Sequence, residues 1–516
     1  MNKNKLYRIF NFLYEKNILI LLLIFFSSIF IFCHINLRPF WLDEAAVAVV
    51  IENPIGKLFS KAIYDGHHLT YIYSIKIWSL IFKDSELSFR IFSSIWALLL
   101  IPLMYKTALY FYKSRKVAVI AAFLTTTNYF LNWFAVQTRQ YTLSAFLGLL
   151  SCYYFIKILK EGKKLDYIFY TIISILSIYS HTWLILIFLS QILTHIIIYK
   201  FSKKLKLIYL SQITISLFLI PYIFILLYQS KIGINSWIPH SNILVILESF
   251  KYLSYGLVLP YILASLIGYA YLSSQKTTTK QDKYNNKLIN TFLFLYFLFP
   301  LISAFLVSLY KPAYVPGRFE LIVLPPFLLL LSKLWSKINI KYLLSIFIFI
   351  LYCLYTNVIN EINLTKSFKS TYKIECTKLI DNIENGDIII TTDLNYAAFY
   401  YYLKKTNKSY NKTYTLISYP EEISEHPGWK NLDEMLKNKN IYEKEAEELI
   451  TNIYSTHAKN IWLIYNKNNP INEIIFNKLS DNFQKSLSII PEEPKEPSWF
   501  NEIHKFNKQE NSKVVN

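Results

Sequence analysis

Residues 18–46 join an apolar segment to a pair of carboxylates: ILILLLIFFSSIFIFCHINLRPFWLDEAA. The segment 18–36 has about the length and apolar character of a membrane helix, which needs roughly 20 such residues. The polar stretch that follows contains the adjacent carboxylates Asp43 and Glu44. Such carboxylates can serve as a general base and as a ligand for a substrate or a metal. The stretch therefore predicts a membrane protein with polar chemistry at one surface of the bilayer.

Similar apolar segments continue to residue 358, and together they predict about eleven membrane spans. The predicted spans are 18–36, 88–112, 117–132, 140–158, 166–180, 181–199, 207–228, 251–273, 288–309, 320–335 and 341–358. We therefore expect residues 1–358 to form an α-helical polytopic membrane domain.

The composition supports a membrane protein and argues against several other classes. Of 516 residues, 54% are hydrophobic and 17% are charged, whereas soluble domains are about 25% charged. The net charge of +20 would suit a nucleic-acid binder, but the long charge-free runs would not, so no nucleic-acid partner is expected. The 10 glycines lack the spacing of nucleotide-phosphate loops, which weakens ATPase and dinucleotide-binding interpretations. The four cysteines show no disulfide or metal-binding pattern.

The distribution of positive charge predicts the orientation. If the N-terminus is cytoplasmic and each span crosses once, the cytoplasmic connections hold 22 Lys and Arg and the external ones hold 9. Cytoplasmic loops are enriched in these residues, so we expect a multi-pass protein of the plasma (inner) membrane with its C-terminal domain external or periplasmic. The external first loop, residues 37–87, contains the apolar stretch Leu69–Phe82, which is short and predicts an interfacial or re-entrant helix.

From about residue 359 the sequence turns polar and alternates helical with β-rich patterns. Residues 359–490 therefore predict a small external α/β domain. The predicted strands are Ile388–Thr392, Tyr414–Tyr419, Asn460–Tyr465 and Leu487–Ile490, and Tyr442–His457 is predicted as an amphipathic helix. Residues 491–516 predict a loosely ordered polar tail.

The unusual polar residues of the membrane part fall in the predicted external connections. They are Asp43, Glu44, His67, His68, Arg139, His181, His240 and Arg318. Each alone also fits a structural role: loop charges, a polar turn, arginines that snorkel to head groups, or a buried histidine. Their joint placement on the external side of the membrane is stronger evidence than any one of them. Carboxylates together with Arg and His beside a bilayer favour chemistry on a lipid phosphate head group.

Six motifs in order resemble polytopic glycosyltransferases of the GT-C fold, and in particular the bacterial protein O-mannosyltransferase and aminoarabinose (lipid A) transferase family (glycosyltransferase family 39-like). The resemblance covers about residues 20–340. The motifs are Trp41-Leu-Asp43-Glu44-Ala45, Asp65-Gly66-His67, Ser85-Glu-Leu-Ser-Phe-Arg90, Gln137-Thr-Arg139-Gln-Tyr141, Tyr179-Ser-His181, and Arg318-Phe319 with the later Pro325-Pro326. Two positions depart from the family pattern: His68-Leu69 stands where Pro-Pro is common, and Phe319 stands where Tyr is common.

The resemblance implies an inverting transferase that moves a sugar from a polyprenyl-phosphate carrier to an acceptor hydroxyl on a protein, on lipid A or on a cell-envelope glycan. It implies that the catalytic residues are Asp43, as the general base, and Glu44, which would orient the acceptor or a neighbouring Arg. Arg139 and Arg318 would hold the leaving phosphate. The implied partners are the lipid-linked donor, the bilayer, and a protein or glycolipid acceptor.

Three further residues are substrate or phosphate contacts under the same resemblance: His67, His181 and Tyr141. A divalent metal stays open as a cofactor, and its candidate ligands are Asp43, Glu44, His67 and His181. No other cofactor is implied.

A transporter or flippase of a lipid-linked or anionic substrate is the alternative, since it would also combine external arginines with a hydrophobic bundle. Such proteins more often place ionisable residues in mid-span, and the predicted spans are nearly devoid of them. Another membrane enzyme or a scaffold also remains open.

Overall fold

The computed structural model describes residues 18–199, 206–233, 238, 242–254, 261–262, 265–266, 280–367, 372–421, 432–467, 469–490 and 501–508. The chain divides into two compact units. The bundle unit comprises residues 1–36, 68–228 and 238–361. The sheet unit comprises residues 37–67, 229–237 and 362–516.

The described helices, in chain order, are α1 (Ile18–His34), α2 (Leu42–Glu52), α3 (Ile55–Tyr64), α4 (Leu69–Ile81), α5 (Glu86–Tyr112), α6 (Arg115–Thr127), α7 (Tyr129–Ala135), α8 (Tyr141–Lys160), α9 (Lys164–Ile178), α10 (Leu184–Tyr199), α11 (Lys206–Lys231), α12 (Leu244–Ser254), α13 (Lys280–Tyr310), α14 (Leu324–Trp335), α15 (Ile340–Ser367), α16 (Tyr372–Asn382), α17 (Asn395–Asn407), α18 (Leu432–Lys437), α19 (Lys439–Ser455) and α20 (Pro470–Asn482). The strands are β1 (Asp387–Thr392), β2 (Tyr414–Tyr419), β3 (Asn460–Tyr465), β4 (Gln484–Ile489) and β5 (Glu502–Asn507). A short 3₁₀ turn occupies Phe319–Ile322.

Several helices are long and apolar enough to cross a membrane. Among the described residues there are five, or six if one bent pair counts as a single span. They are Glu86–Tyr112, Tyr141–Lys160, Lys206–Lys231, Asn285–Tyr310 and Ile340–Asn363, and the pair is α6 with α7. Four shorter apolar helices accompany them: Ile18–His34, Leu69–Ile81, Leu184–Ile197 and Leu324–Trp335. The helical membrane class is thus supported, whereas the expected count of about eleven spans is not confirmed.

The predicted count and the observed helices differ for physical reasons. The predicted spans near residues 18, 181 and 320 correspond to helices of 17, 16 and 12 residues, and crossing a bilayer takes about 20. The predicted span 251–273 lies mostly outside the described residues. The stretch Leu69–Phe82 forms the 13-residue helix α4, short as predicted.

Asn128 lies at the bend between α6 and α7, which measures 55°. Its Oδ1 accepts the Leu131 N–H at 3.0 Å, as a helix N-cap does, and its Nδ2 donates to the Leu253 carbonyl at 3.0 Å. Asn132 Nδ2 donates to the Thr126 carbonyl at 3.0 Å. These amides replace backbone hydrogen bonds that the break removes, which is required where water is absent.

The Ser85–Arg90 motif starts α5 and braces α1. Ser85 Oγ accepts the Ser88 N–H at 3.1 Å as an N-cap. Arg90 is 2% exposed, and its Nη1 donates to the Ile35 carbonyl at 3.1 Å. The contacts of this motif are therefore structural ones.

The sheet unit contains a five-stranded sheet in the order β2-β1-β3-β5-β4. Strands β2, β1 and β3 are parallel, and β5 runs antiparallel to β3 and β4. Strands β1 and β3 are buried at every position, as expected for continuous apolar strands of a parallel sheet. The predicted strands at 388–392, 414–419 and 460–465 agree with β1, β2 and β3 to within one residue, and the predicted helix 442–457 overlaps α19.

The expectation of a loosely ordered tail is wrong for residues 502–507. They form β5, which lies between β3 and β4 in the sheet. Ile503 and Phe506 are both 0% exposed. The strand could not be predicted from the sequence because these are its only two apolar residues. Its stability comes from cross-strand packing. Residues 491–500 and 509–516 lie outside the described ranges.

Asp387 ties the start of β1 to β3. Its Oδ1 accepts from Asn460 Nδ2 at 2.9 Å, and its Oδ2 accepts from Trp462 Nε1 at 2.8 Å and from the Glu384 N–H at 2.9 Å. The residue is 1% exposed. A buried carboxylate with three donors is costly to remove, because its partners stay behind in a dry environment.

We expect Asp387→Ala to lower the free energy of unfolding of the sheet unit by about 3 kcal/mol, since it leaves buried donors without an acceptor. Proteolysis of the full-length protein in increasing urea measures this loss. The exposed Asp481→Ala is the matched control and should behave as wild type. Equal urea midpoints for Asp387→Ala and wild type would contradict the assigned role.

Candidate functional site

The predicted catalytic carboxylates lie in the first turn of α2, in the sheet unit. Glu44 is 1% exposed, and its Oε2 accepts the Trp41 N–H at 3.4 Å, in the manner of a capping box. Asp43 is only partly buried. The N-terminal end of a helix stabilises negative charge on both. The geometry therefore gives Glu44 a structural role in starting α2, while the Asp43 carboxylate is the more accessible of the two.

The C-terminal part of the chain holds α2 in place. Tyr402 accepts the Phe40 N–H through its hydroxyl, and the rings of Phe40 and Tyr401 lie 5.2 Å apart. At the other end of α2, Lys404 Nζ lies 2.6 Å from Glu52 Oε2. All of these partners belong to α17. Sequence reasoning found no site motif in the C-terminal domain, yet this domain positions the Asp43 helix.

The Asp65-Gly66-His67 motif closes α3. The His67 N–H donates to the Ala62 carbonyl at 2.8 Å and the Gly66 N–H to the Ile63 carbonyl at 3.2 Å. Gly66 has φ of +72°, the left-handed geometry that glycine adopts without penalty at a helix C-terminus. The glycine of this motif therefore serves to end the helix.

Asp65 carries an unusual carboxyl group. Its side chain is 2% exposed, and Lys61 Nζ lies 3.4 Å from its Oδ1. Burial raises the pKa of Asp65 from 3.8 to about 7, and the Lys61 charge offsets only part of that rise. Asp65 therefore titrates near neutral pH.

His181 lies in the bundle unit, in the break between α9 and α10, and is 2% exposed. Its Nδ1 accepts the Trp183 N–H at 3.2 Å, so in the neutral ring the proton sits on Nε2. Burial lowers the pKa of His181, and the nearby His68 and Arg139 lower it further. The Nε2 atom is buried and has no hydrogen-bond partner among the described residues. The Nε2–H of His181 is thus a neutral donor that is available to a bound ligand.

Arg139, Tyr141 and His68 surround His181. The rings of Tyr141 and His68 lie 5.8 and 4.8 Å from the His181 ring. The Arg139 guanidinium carbon lies 5.9 Å from the centre of the Tyr141 ring. Burial, followed by the Arg139 charge, lowers the pKa of His68 to about 3. Both histidines are therefore neutral beside a permanent positive charge.

The loop 311–320 also lies beside His181. The ring of its Phe319 is 5.2 Å from the His181 ring. Glu320, at 0% exposure, fixes this loop. Its Oε1 accepts from the Ser249 and Tyr314 hydroxyls at 2.9 and 3.0 Å, and its Oε2 accepts the Arg318 N–H at 3.1 Å. Burial raises the pKa of Glu320, and these donors oppose the rise.

Gly317 allows the loop to turn beside an aromatic ring. Its φ is +78°, and a Cβ there would lie 2.7 Å from a Tyr252 ring atom. Any larger residue would therefore collide with the ring as well as strain the backbone. The turn places Arg318 next to the Glu320 anchor.

The structure thus brings four predicted residues of the bundle unit into one neighbourhood: Arg139, Tyr141, His181 and, through its loop, Arg318. Asp43, Glu44 and His67 belong to the sheet unit. His240 lies outside the described residues.

Three residues escaped sequence reasoning: Ser249, Tyr314 and Glu320, whereas His68 was noted only as an unusual polar residue. A usable signal existed only for Glu320, a carboxylate two residues after Arg318 at the start of an apolar run. Ser249 comes from a distant helix, and only folding brings it to Glu320. Among the described residues, no three His, Cys, Asp or Glu side chains group as a metal site would require.

No family model and no curated protein sequence matches this chain significantly. Solved structures do match. The crystal structure of ArnT from Cupriavidus metallidurans in the apo state has a TM-score of 0.59 at 8% identity, over 94% of this chain and 97% of that one. The same protein bound to undecaprenyl phosphate has a TM-score of 0.58 at 9% identity, over the same shares of the two chains.

The chain is similar in fold to ArnT. The likeness confirms, at the level of the fold, the resemblance that the sequence motifs indicated. It extends over nearly the whole of both chains, including the C-terminal part where the sequence shows no shared motif. Identity this low speaks to the fold alone.

We expect Asp65 to make stability depend on pH. Its folded pKa of about 7 lies above the unfolded value of 3.8, so the folded state binds more protons between these values and the free energy of unfolding falls as pH rises from about 4 to 7. Asp65→Asn removes this fall, because the amide stays neutral. Thermal unfolding of the full-length protein at pH 5 and 8 should show a smaller difference for Asp65→Asn than for wild type.

The matched control for this pH effect is Asp481→Asn, whose carboxyl is exposed. It should keep the wild-type difference between the two pH values. An Asp65→Asn variant with the full wild-type difference would show that the carboxyl titrates as an ordinary one.

Proposed function

We propose that the protein is a membrane glycosyltransferase that moves a sugar from a polyprenyl-phosphate carrier to an external acceptor hydroxyl, with inversion at the anomeric carbon. One observation carries the proposal. A buried, neutral His181 beside Arg139 holds an Nε2–H donor without a partner among the described residues, in a chain whose structural neighbour binds undecaprenyl phosphate.

The leaving group of such a transfer is a phosphate that gains negative charge as the glycosidic bond breaks. Arg139 and Arg318 are proposed to bind that phosphate, because guanidinium groups match its oxygens and keep their charge at every relevant pH. His181 would donate one further hydrogen bond from Nε2. A neutral donor adds a hydrogen bond here without adding a further positive charge to those of the two arginines. Preorganised donors of this kind stabilise the transition state more than the ground state.

Asp43 is proposed as the general base. It accepts the proton of the acceptor hydroxyl while the hydroxyl oxygen forms a bond to the anomeric carbon. The bond from that carbon to the phosphate oxygen breaks, and polyprenyl phosphate leaves with the electron pair. Glu44, whose carboxylate accepts the Trp41 N–H, would stabilise the start of the helix that carries the base. His67 and Tyr141 remain secondary candidates for substrate contact.

We expect Asp43→Asn to lower turnover by about 10²–10⁴-fold while leaving the fold intact, since this is the usual contribution of a general base. The measurement is sugar release from mannosyl, glucosyl, galactosyl and aminoarabinosyl polyprenyl phosphates by purified protein with acceptor extracts. The panel also identifies the donor sugar.

Asp481→Asn is the control, because it makes the same carboxylate-to-amide change at an exposed position away from α2. It should retain the wild-type rate. Near wild-type release by Asp43→Asn would exclude Asp43 as the base. Folded wild-type protein that releases no sugar but moves the lipid across vesicles would favour the flippase alternative.

We expect His181→Phe to weaken binding of undecaprenyl phosphate by about 10–100-fold, which is the value of a hydrogen bond to a charged group. His181→Asn supplies an N–H donor and should recover part of the affinity. Binding is measured on the purified protein by titration with the lipid phosphate.

His195→Phe is the control for loss of a buried histidine in the same unit. His195 Nδ1 lies 3.0 Å from Gln212 Oε1, so its loss should lower stability but not lipid-phosphate affinity. Unchanged affinity in His181→Phe would refute the proposed role of Nε2.

A further inference from the structure

A cavity with several charged side chains in its lining lies within the bundle unit, where α5 and α8 end. It encloses about 670 Å³, within the range of ligand pockets of about 300–1,000 Å³. Its lining includes Lys106, Tyr110, Lys113, Tyr153 and Lys160. The cavity is distinct from the His181 neighbourhood, because Tyr141 starts α8 and Lys160 ends it, about 28 Å apart along the helix.

The lysines of this cavity carry charge that nearby carboxylates do not balance. Among the described residues, Lys106, Lys113 and Lys160 form no ion pair. Glu161 also lines the cavity, but its oxygens are engaged by the Tyr110 hydroxyl at 2.7 Å and by Lys163 at 3.5 Å. The described lining therefore has a net positive charge.

Aromatic rings hold two of the ammonium groups in place. Lys106 Nζ lies 5.2 Å from the Tyr153 ring centre, and Lys160 Nζ lies 5.1 Å from that of Tyr110. A cation over a ring keeps its N–H donors available on the other sides. Lys113 follows α5 with φ of +51°, where glycine is the usual residue. Three cations thus line one cavity.

A helix C-terminus attracts a cation by itself, which would account for single lysines at the ends of α5 and α8. It does not account for an open cavity between them. The ends of membrane-crossing helices lie at the level of lipid head groups. By the charge distribution of the sequence, this end of the bundle is also the predicted cytoplasmic one, where anionic lipids are abundant.

We propose that this cavity binds the phosphate of an anionic phospholipid head group, with Lys106, Lys113 and Lys160 as its ligands. The site is separate from the proposed donor site and does not depend on transferase activity. Basic pockets between membrane helices recognise such head groups through charge-assisted hydrogen bonds from the ammonium groups.

The test uses full-length protein in neutral detergent and native mass spectrometry with three probes: phosphatidylglycerol, phosphatidylcholine and inorganic phosphate. We expect preferential binding of phosphatidylglycerol, weakened by added salt. The triple variant Lys106→Gln, Lys113→Gln, Lys160→Gln should bind it about tenfold more weakly or worse, since each lysine near a lipid surface contributes substantially. Lys164→Gln, at an exposed position outside the lining, is the matched control and should bind as wild type.

Three results would overturn the proposal: equal phosphatidylglycerol binding by the triple variant and wild type, equal binding of phosphatidylcholine, or no salt dependence. Lysine-dependent binding of inorganic phosphate at least as tight as that of the lipid would overturn the lipid assignment and point to a soluble phosphate. If the triple variant fails to fold, the three single variants serve instead, and Lys160→Arg should retain binding because it keeps the charge.

Discussion

Lipid hydrocarbon offers no hydrogen-bond partner to a protein backbone, and the bundle unit is arranged around that constraint. Helices satisfy their own backbone, so the difficult places are the breaks between them. At the α6–α7 bend the side chain of Asn128 supplies the missing partners. In the loop 311–320 the carboxylate of Glu320 accepts three donors. At the α9–α10 break the Trp183 N–H donates to His181.

These breaks also bring polar groups that are not in helices into an apolar surrounding, which makes chemistry possible there. Most of their polar atoms are used internally. The Nε2–H of His181 is the exception among the groups at these three breaks, and it stands beside Arg139. Burial keeps its imidazole neutral, so the position combines one permanent cation with one neutral donor. That combination suits a phosphate that must be bound and later released.

The sheet unit contributes in a different way. Its helix α17 contacts the segment that carries Asp43, through Tyr401, Tyr402 and Lys404. The C-terminal domain is therefore part of the support of the proposed base rather than an appended module. It follows that a mutation in the sheet unit can disturb Asp43 without touching the bundle.

The sequence by itself determined the membrane class, the polar C-terminal domain and most of its strands. Continuous apolar runs such as 388–392 and 460–465 are local patterns, and they predict buried strands without knowledge of the fold. Arg139 and His181 could be recognised because polar residues are rare beside apolar runs. Only the tertiary structure decided that β5 enters the sheet and that Glu320 anchors the loop of Arg318. Both depend on partners far away in the chain, β3 for β5 and Ser249 for Glu320. A local pattern records what a residue prefers, whereas hydrogen bonds between distant segments exist only once the chain has folded.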